Sequence, residues 1–248
     1  MENYEGLKQK LAMANRILVN ENLTELGRGH VVYKISDNRI LIPGHLHDYQ
    51  RSIADCTASD IVTIDYDGKV IEGRYPESMH EFYFYSAMFR RRPELKAALH
   101  MHAFYSNLIG MSGEDMLFSS RDSFLFTEGI AVYSGLPLFV NTEKMGEEMA
   151  DLLGSKDVLL HRGHGVFMVG RSIEEVVTRA AALERAARKS YYLRAIGKFL
   201  EFPLEDIERS ESAEIREELQ ESDWGYFLTR VEKRGTETPG RPEWAVVT

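Results

Sequence analysis

Apolar residues follow two different periods along the chain, and the changes of period predict where helices and strands lie. Apolar positions recur every three or four residues from Leu7 to Leu18, which predicts an opening helix. The runs HVVYKIS and RILIPG then favour two strands, and the turn at residues 36–38 between them predicts an antiparallel pair. The run DIVTIDYDGKVIEG repeats this pattern around a hairpin turn at Asp67-Gly68.

Helices and strands alternate in the segments that follow. An aromatic helix is predicted from about Met79 to Arg92, where Pro93 ends it, and the run KAALHMHAF favours a buried strand. Shorter strands are expected at IAVYSG and LPLFVN, a helix at GEEMADLLGS, and a strand pair with a glycine-rich turn at DVLLHRGHGVFMVG. Ser172, with Glu175 three residues later, forms a capping box that predicts the start of a long helix.

The composition changes only near the C-terminal end. The acidic segment at residues 204–222 predicts a solvated helix, and the glycine and proline residues beyond it indicate an irregular tail from about residue 223. No repeat or linker divides the preceding residues, so residues 1–248 are predicted to form a single domain. Helices on both sides of a mainly antiparallel central sheet indicate the α/β class, with three layers in the order α/β/α.

Charge and composition exclude several classes of partner. The net charge of −9 argues against a nucleic-acid partner and gives no attraction to an anionic membrane surface. No apolar run is long enough to span a membrane, and the sequence MENYEGLKQKL lacks the apolar core of a signal peptide. A single cysteine, Cys56, excludes an intramolecular disulfide and fits a reducing compartment. We therefore expect a cytoplasmic protein.

Two of the eight histidines stand two positions apart inside an apolar run. Because side chains alternate along a strand, His100 and His102 point to the same side, which is the spacing for two ligands of one metal ion. Two hydrogen-bonded core histidines would give the same pattern. The run HRGHG is the candidate source of a third ligand, since its glycines allow the backbone to approach a site closely. Three imidazoles with one open position are typical of a catalytic metal site.

Four segments carry a resemblance to a known family: GRGHVVYKI, RILIPGH, HEFYFYSAMFRRRPELKAALHMH and VLLHRGHGVFMVGRSIEEVVTRAAALE. From about residue 5 to residue 200 the chain resembles the class II aldolase/adducin-head family. Its members include fuculose-phosphate-type aldolases, ribulose-phosphate epimerases and several decarboxylases. In that family a catalytic glutamate precedes the His-x-His pair by nineteen residues, across a helix that ends in an Arg-Pro turn. Here Glu81 stands nineteen residues before His100, and the turn is Arg92-Pro93.

The resemblance implies a role for each matching residue. It implies a divalent metal ion held by His100, His102 and His164, the last being the histidine directly before a glycine, which excludes His161. Zinc is expected, with manganese, cobalt or iron as alternatives. Glu81 would either complete the coordination sphere or act as the catalytic acid/base. An alternative for this glutamate is a merely favourable charge at a helix start.

The chain departs from the family at three turns that usually hold a sugar phosphate through small hydroxyl residues. Here these turns read GH at residues 29–30, IPGH at 42–45 and MHE at 79–81. A phosphorylated substrate is therefore not expected, and the histidines favour a small-molecule carboxylate or a planar group. The expected substrate-binding residues are Arg28, His30, His45, His80 and Arg121. An alternative is that His45 and His47 only hydrogen-bond their own loop.

The resemblance also implies a reaction. In the family the metal ion binds adjacent oxygens of a hydroxy-carbonyl unit and stabilises an enediolate as a carbon–carbon bond breaks. Without the phosphate turns, we predict decarboxylation of a hydroxy- or keto-carboxylic acid, such as a catechol- or muconate-type acid from aromatic catabolism. An aldolase that cleaves a hydroxy-keto acid is the close alternative. An iron-dependent oxygenase and a non-catalytic adducin-like module are further alternatives, although the retained ligands argue against the module.

Family resemblance further implies a homotetramer with sites between subunits. Members bring a tyrosine or another residue to the site as a proton donor, from the tail or from a neighbouring subunit. Tyr226 is the candidate for this catalytic role here.

Overall fold

The computed structural model describes residues 4–46, 51–136, 138–210 and 213–237, which form one mixed sheet flanked by helices. The strands are β1 (Gly29–Ser36), β2 (Arg39–Pro43), β3 (Ile61–Ile64), β4 (Val70–Glu72), β5 (Ala97–Met101), β6 (Ala131–Tyr133), β7 (Val158–His161) and β8 (Gly165–Gly170). The helices are α1 (Glu5–Asn20), α2 (Phe82–Arg91), α3 (Phe104–Ser112), α4 (Arg121–Phe124), α5 (Glu143–Leu153), α6 (Ile173–Ile196), α7 (Leu204–Ser210) and α8 (Ala213–Glu237). Most of these elements lie where the apolar pattern predicts them.

The sheet has the strand order β4-β3-β2-β1-β5-β8-β7-β6. Neighbouring strands are antiparallel throughout, except for the parallel pair of β6 and β7. The predicted α/β fold with a mainly antiparallel central sheet is therefore confirmed. No helix among the described residues is long and apolar enough to cross a membrane.

Helices cover both faces of the sheet, and each face has its own set of side chains. His30, His100 and Phe167 lie opposite one another on three adjacent strands. They face α2, where Tyr85 contacts His30, and the rings of Phe84 and Phe167 lie 5.0 Å apart. The other face packs against α1 and α6.

Strand register brings distant parts of the chain to one end of the sheet. Gly29 at the start of β1 pairs with Met101 at the end of β5, and Met101 pairs with Val166 near the start of β8. Because the strands are antiparallel, the residues just after β5 and just before β8 emerge side by side. The His-x-His run and the HRGHG turn therefore meet at this end.

Two predictions about secondary structure are wrong. The LPLFVN run forms no strand in its described residues. The tail from about residue 223 is not irregular up to residue 237, since α8 continues to that point. Its residues Trp224, Phe227 and Val231 recur at helical spacing, and Phe227 and Val231 are almost fully buried in the core. Glycine and proline further along suggested a loop, but burial of this apolar stripe favours the helix. Residues 238–248 of the predicted tail lie outside the described residues.

Candidate metal centre

Three imidazoles converge at the end of β5. The ring centroids of His100 and His102 are 4.6 Å apart, those of His100 and His164 are 4.8 Å apart, and those of His102 and His164 are 4.9 Å apart. One ring nitrogen from each residue lies within 4.8 Å of the others, so this group could hold a metal ion. The structure thus brings together the three histidines that the sequence predicted as ligands.

The hydrogen bonding of His100 leaves one nitrogen available for a ligand bond. Its Nδ1 lies 3.0 Å from the carbonyl oxygen of Val166, and because a carbonyl only accepts, this nitrogen carries the proton. The opposite nitrogen, Nε2, is buried and has no hydrogen-bond partner. A buried unpaired acceptor costs about 1–3 kcal/mol unless something binds it. A metal ion would satisfy this nitrogen, so the donor set fits a divalent metal.

Burial favours the neutral form of all three imidazoles, which is the form that binds metal. Burial, together with the charge of Arg28, lowers the pKa of His102 to about 4. Burial and neighbouring histidines lower the pKa of His164 to about 3, and they lower that of His100 well below its ordinary value. Neutral imidazoles keep a lone pair on one nitrogen, so the cluster presents ligands without the need to lose protons.

Glu81 directly precedes α2, which begins at Phe82, three residues later than the helix start predicted at Met79. Burial raises the pKa of its carboxyl group, while its own backbone and nearby His45 act in the opposite direction. Its carboxylate is not one of the atoms in the three-histidine group. Of the two roles predicted for Glu81, this arrangement favours the acid/base over a fourth metal ligand.

A buried tyrosine, Tyr85, lies within the influence of the Glu81 charge. It follows Glu81 by one helical turn, and its hydroxyl shares a 3.0 Å hydrogen bond with Nε2 of His30. Burial and the charge of Glu81 raise the pKa of Tyr85, so its hydroxyl stays protonated. The ring of His30 in turn lies 6.2 Å from that of His100. No role was predicted for Tyr85 from the sequence, and no spacing in the chain indicates its bond to His30.

Two of the three turns that depart from the family pattern, one after β2 and one before α2, contact each other. Gly44 forms a bridge with Ser78, and the backbone N–H of His45 donates to the carbonyl of Glu77. The rings of His45 and His80 consequently lie 5.4 Å apart, with His80 exposed and His45 half-buried. His47 lies outside the described residues.

The remaining predicted site residues occupy different surroundings. Arg28 is exposed directly before β1, and it is close enough for its charge to lower the pKa of His102. Arg121 begins α4, which packs against α6. Tyr226 lies on α8 with 57% of its surface exposed, and Arg230 stacks over its ring. Among the described residues, the charges and rings that act on the three histidines include neither Arg121 nor Tyr226. Their predicted roles stay predictions.

A carboxylate on the opposite side fixes the backbone directly after His102. Glu184 of α6 accepts hydrogen bonds of 2.8 Å from the backbone N–H groups of Tyr105 and Ser106, and one of 2.7 Å from the Ser106 hydroxyl. These N–H groups lie in the first turn of α3, which would otherwise lack acceptors. The capped helix begins two residues after His102, so Glu184 helps to hold that end of β5 in place.

A three-histidine cluster at the end of a helix-flanked, mainly antiparallel sheet is the arrangement that the resemblance led us to expect. The chain belongs to the family of the class II aldolase and adducin N-terminal domain, whose model matches residues 9–191. The 3,4-dihydroxyphthalate decarboxylase of Arthrobacter keyseri is 27% identical over 222 residues, which cover 86% of this chain and 87% of that protein.

Solved structures show the same fold. An aldolase II superfamily protein from Pseudomonas syringae has a TM-score of 0.78 at 23% identity, covering 96% of each chain. The L-fuculose 1-phosphate aldolase from Glaciozyma antarctica PI12 has a TM-score of 0.76 at 21% identity, covering 94% of this chain and 91% of that one. At these identities the likeness establishes the fold, and relatives of this fold include both a decarboxylase and an aldolase.

Proposed function

We propose that the protein is a divalent-metal-dependent carbon–carbon lyase that decarboxylates a non-phosphorylated hydroxy- or keto-carboxylic acid. The observation that carries the proposal is the convergence of His100, His102 and His164, with the buried Nε2 of His100 left without a partner. Zinc is the ion we expect, because three imidazoles and an open position suit it. Iron would fit the same donors and is kept as an alternative.

Two features support a carboxylate substrate without a phosphate. The turns that carry His45 and His80 contain imidazoles where phosphate-using relatives have small hydroxyl residues, and the two rings lie together. Arg28 adds a positive charge beside His102. In addition, the relative from Arthrobacter keyseri is named for an aromatic dicarboxylate that bears two hydroxyl groups. A hydroxylated aromatic or keto acid is therefore the substrate class that we propose.

The metal ion, when bound, would act as a Lewis acid that lowers the energy of negative charge developing on the substrate. Arg28, His45 and His80 would bind and orient the carboxylate. As the bond to that carboxylate breaks, carbon dioxide leaves and the bonding electrons stay on the substrate carbon. Glu81, whose pKa is raised by burial, would deliver its carboxyl proton to that carbon. The hydrogen bond between His30 and Tyr85 would limit the mobility of these two side chains beside the site.

An aldolase is the second candidate. The likeness to the L-fuculose 1-phosphate aldolase supports it, since the same ligands would stabilise the same type of charge when an aldehyde leaves. The two reactions differ only in the departing group. Measuring the products therefore distinguishes the decarboxylase from the aldolase better than any property of the site does.

The decisive experiment incubates metal-loaded protein with a panel of hydroxylated aromatic acids, keto acids and hydroxy-keto acids, and measures carbon dioxide and aldehyde. We expect carbon dioxide from at least one acid and no aldehyde. Aldehyde without carbon dioxide would replace the decarboxylase by the aldolase. Oxygen uptake by anaerobically purified, iron-containing protein would indicate the oxygenase. A His102→Ala variant that binds as much metal as the parent protein would contradict the metal site itself.

We also propose that the active form is a homotetramer. Tyr226 is exposed on α8 and pairs with Arg230 of its own helix. If Tyr226 donates a proton, as the resemblance implies, another subunit would have to supply it. Mass measurement in solution tests the assembly. Mixed tetramers that combine Tyr226→Phe subunits with Glu81→Gln subunits test the shared site, because only such mixtures would regain activity.

A further inference from the structure

His161, the last residue of β7, is fully buried and has a hydrogen-bond partner at each ring nitrogen. Its Nε2 lies 3.2 Å from the carbonyl oxygen of Gly135, and its Nδ1 lies 3.2 Å from Nδ1 of His164. Tyr133 packs edge-on against the same ring, with centroids 5.2 Å apart. The resemblance assigned His161 no role, because only the histidine directly before the glycine matched a ligand.

These two contacts determine where the protons lie. The Gly135 carbonyl only accepts, so Nε2 of His161 carries a proton and donates it. A neutral imidazole that donates from Nε2 keeps a lone pair on its other nitrogen, so Nδ1 of His161 is an acceptor. That lone pair accepts from His164, whose proton must be on Nδ1. The Nε2 atom of His164 is then the nitrogen with a free lone pair.

We propose that His161 is a positioning residue that holds His164 in its Nδ1–H form, so that Nε2 of His164 serves as the metal donor. The inference rests on the proposed function, because it assumes that an ion binds the three histidines. Metal-binding histidines generally donate their other ring N–H to an oxygen acceptor, which fixes both the proton and the ring. His164 uses another imidazole for this purpose, and the Gly135 carbonyl fixes that imidazole in turn.

Backbone geometry keeps the His161 and His164 rings next to each other. Residues 161–164 form a turn in which the N–H of His164 donates to the carbonyl of His161 at 2.9 Å. Gly163 occupies this turn with φ of +76°, a conformation that glycine adopts without strain. The turn places the His161 and His164 rings with centroids 5.1 Å apart. A one-residue change in the turn length would separate them.

Three variants test the role of the side chain. His161→Leu removes both hydrogen bonds and keeps an apolar side chain in a buried place. His161→Asn keeps an acceptor, because its Oδ1 is as far along the side chain as Nδ1 of histidine. Arg162→Ala is the matched control, since Arg162 is exposed in the same turn. We expect His161→Leu to weaken zinc binding about 10- to 100-fold in a competition titration with a chromophoric chelator. His161→Asn should lose much less, and Arg162→Ala should match the parent protein.

Ring-nitrogen NMR of the metal-free protein gives a readout that is independent of metal binding and activity. We expect His164 to carry its proton on Nδ1 in the parent protein and in His161→Asn, and to lose this preference in His161→Leu. Thermal unfolding of the metal-free variants shows whether each one is folded. Unchanged zinc affinity in a folded His161→Leu variant would overturn the inference.

The NMR readout also separates this inference from the proposed function. If the parent protein bound no divalent ion, the proposed function would fail. The proton on Nδ1 of His164 would still support the positioning by His161, and a proton on Nε2 would overturn it.

Discussion

The side chain of His100 is hydrogen-bonded to the backbone of Val166 across β5 and β8, and this bond decides which of its nitrogens is free. The bond occupies Nδ1 and leaves the buried Nε2 unpaired. Strand pairing, rather than another polar side chain, therefore sets the donor atom of this candidate ligand. The predictions below follow from this arrangement and from the residues around it.

Loss of one imidazole should abolish tight metal binding. We expect His102→Ala to weaken zinc affinity by more than about 100-fold, beyond the 10–100-fold typical of residues that only support a ligand. His80→Ala is the matched control, because His80 is exposed and lies outside the three-histidine group. Metal content after purification and a chelator competition titration measure the difference. Equal losses in the two variants would contradict the assignment of His102.

Removing the ion should destabilise the fold. An ion that binds only the folded state stabilises it by about 2.7 kcal/mol when its concentration is a hundred times the dissociation constant. We expect chelation to lower the unfolding temperature of the parent protein and to leave that of His102→Ala unchanged. Differential scanning calorimetry with and without chelator measures this. A shift of equal size in both proteins would show that the stabilising ion binds elsewhere.

The carboxyl group of Glu81 should matter for the chemical step rather than for metal binding. We expect Glu81→Gln to lower kcat by about 10²- to 10⁴-fold, the usual worth of a positioned acid/base, while zinc affinity stays within a few-fold. Because the proton donor must be protonated, kcat should fall as pH rises through the pKa of Glu81. Burial raises that pKa, so this limb lies above 4.5. The fall of kcat with rising pH should remain in Glu81→Asp. If it also remained in Glu81→Gln, a group other than Glu81 would be responsible for it.

Asp60 should link stability to pH. It is fully buried and paired with Arg51, and Tyr75 donates to it at 2.7 Å. Burial alone would raise its pKa, but hydrogen bonds from Thr57, Tyr75 and Arg51 hold the pKa below the ordinary 3.8. The ionised group therefore stabilises the fold above about pH 4, and this stability is lost as pH falls through the lowered pKa.

Asp60→Asn tests this link directly. It should destabilise the protein by about 3 kcal/mol near pH 7, because Arg51 loses its charged partner. The difference from the parent protein should shrink on acidification below about pH 4. Urea unfolding at a series of pH values measures it, and a difference that is independent of pH would rule out the charge as its origin.

Gly165 should tolerate no side chain. A Cβ at this position would lie 2.5 Å from the Met101 carbonyl oxygen and 3.0 Å from Cε1 of His100. We expect Gly165→Ala to destabilise the protein by about 1–3 kcal/mol, as overpacking does, and to weaken metal binding by displacing His100. Gly6→Ala is the control, since a Cβ there meets nothing within 4 Å. Equal stability of Gly165→Ala and the parent protein would contradict this close approach.

Apolar patterns predicted most of the fold because the central strands are buried on both faces and read as short apolar runs, while the helices bury one face. The helix before His100 and the capped helix α6 follow this rule, and the His-x-His spacing predicted two adjacent imidazoles. The strand predicted at LPLFVN failed because such a short apolar run does not reveal whether a neighbouring strand is available for pairing. The part of α8 beyond residue 222 was missed because its apolar stripe is interrupted by Gly225 and followed by glycine and proline.

The sequence could not predict which groups are hydrogen-bonded to each other in the site. Nothing in the spacing shows that Val166 bonds His100, that Tyr85 bonds His30, or that Gly135 anchors His161. These contacts depend on strand register and on which face of a helix meets the sheet. Residue types thus predicted which side chains cluster, while tertiary packing decides which of their atoms are available for chemistry.

The pairing of β5 with β8 also constrains the biosynthesis of the site. His100 and His102 leave the ribosome more than fifty residues before His164, and β8, one of the two strands that pair with β5, directly follows His164. A nascent chain that ends before His164 holds two of the imidazoles without the third. If these histidines hold an ion, as we propose, tight binding must await synthesis of His164, and the pairing of β8 with β5 then brings this third ligand to the other two.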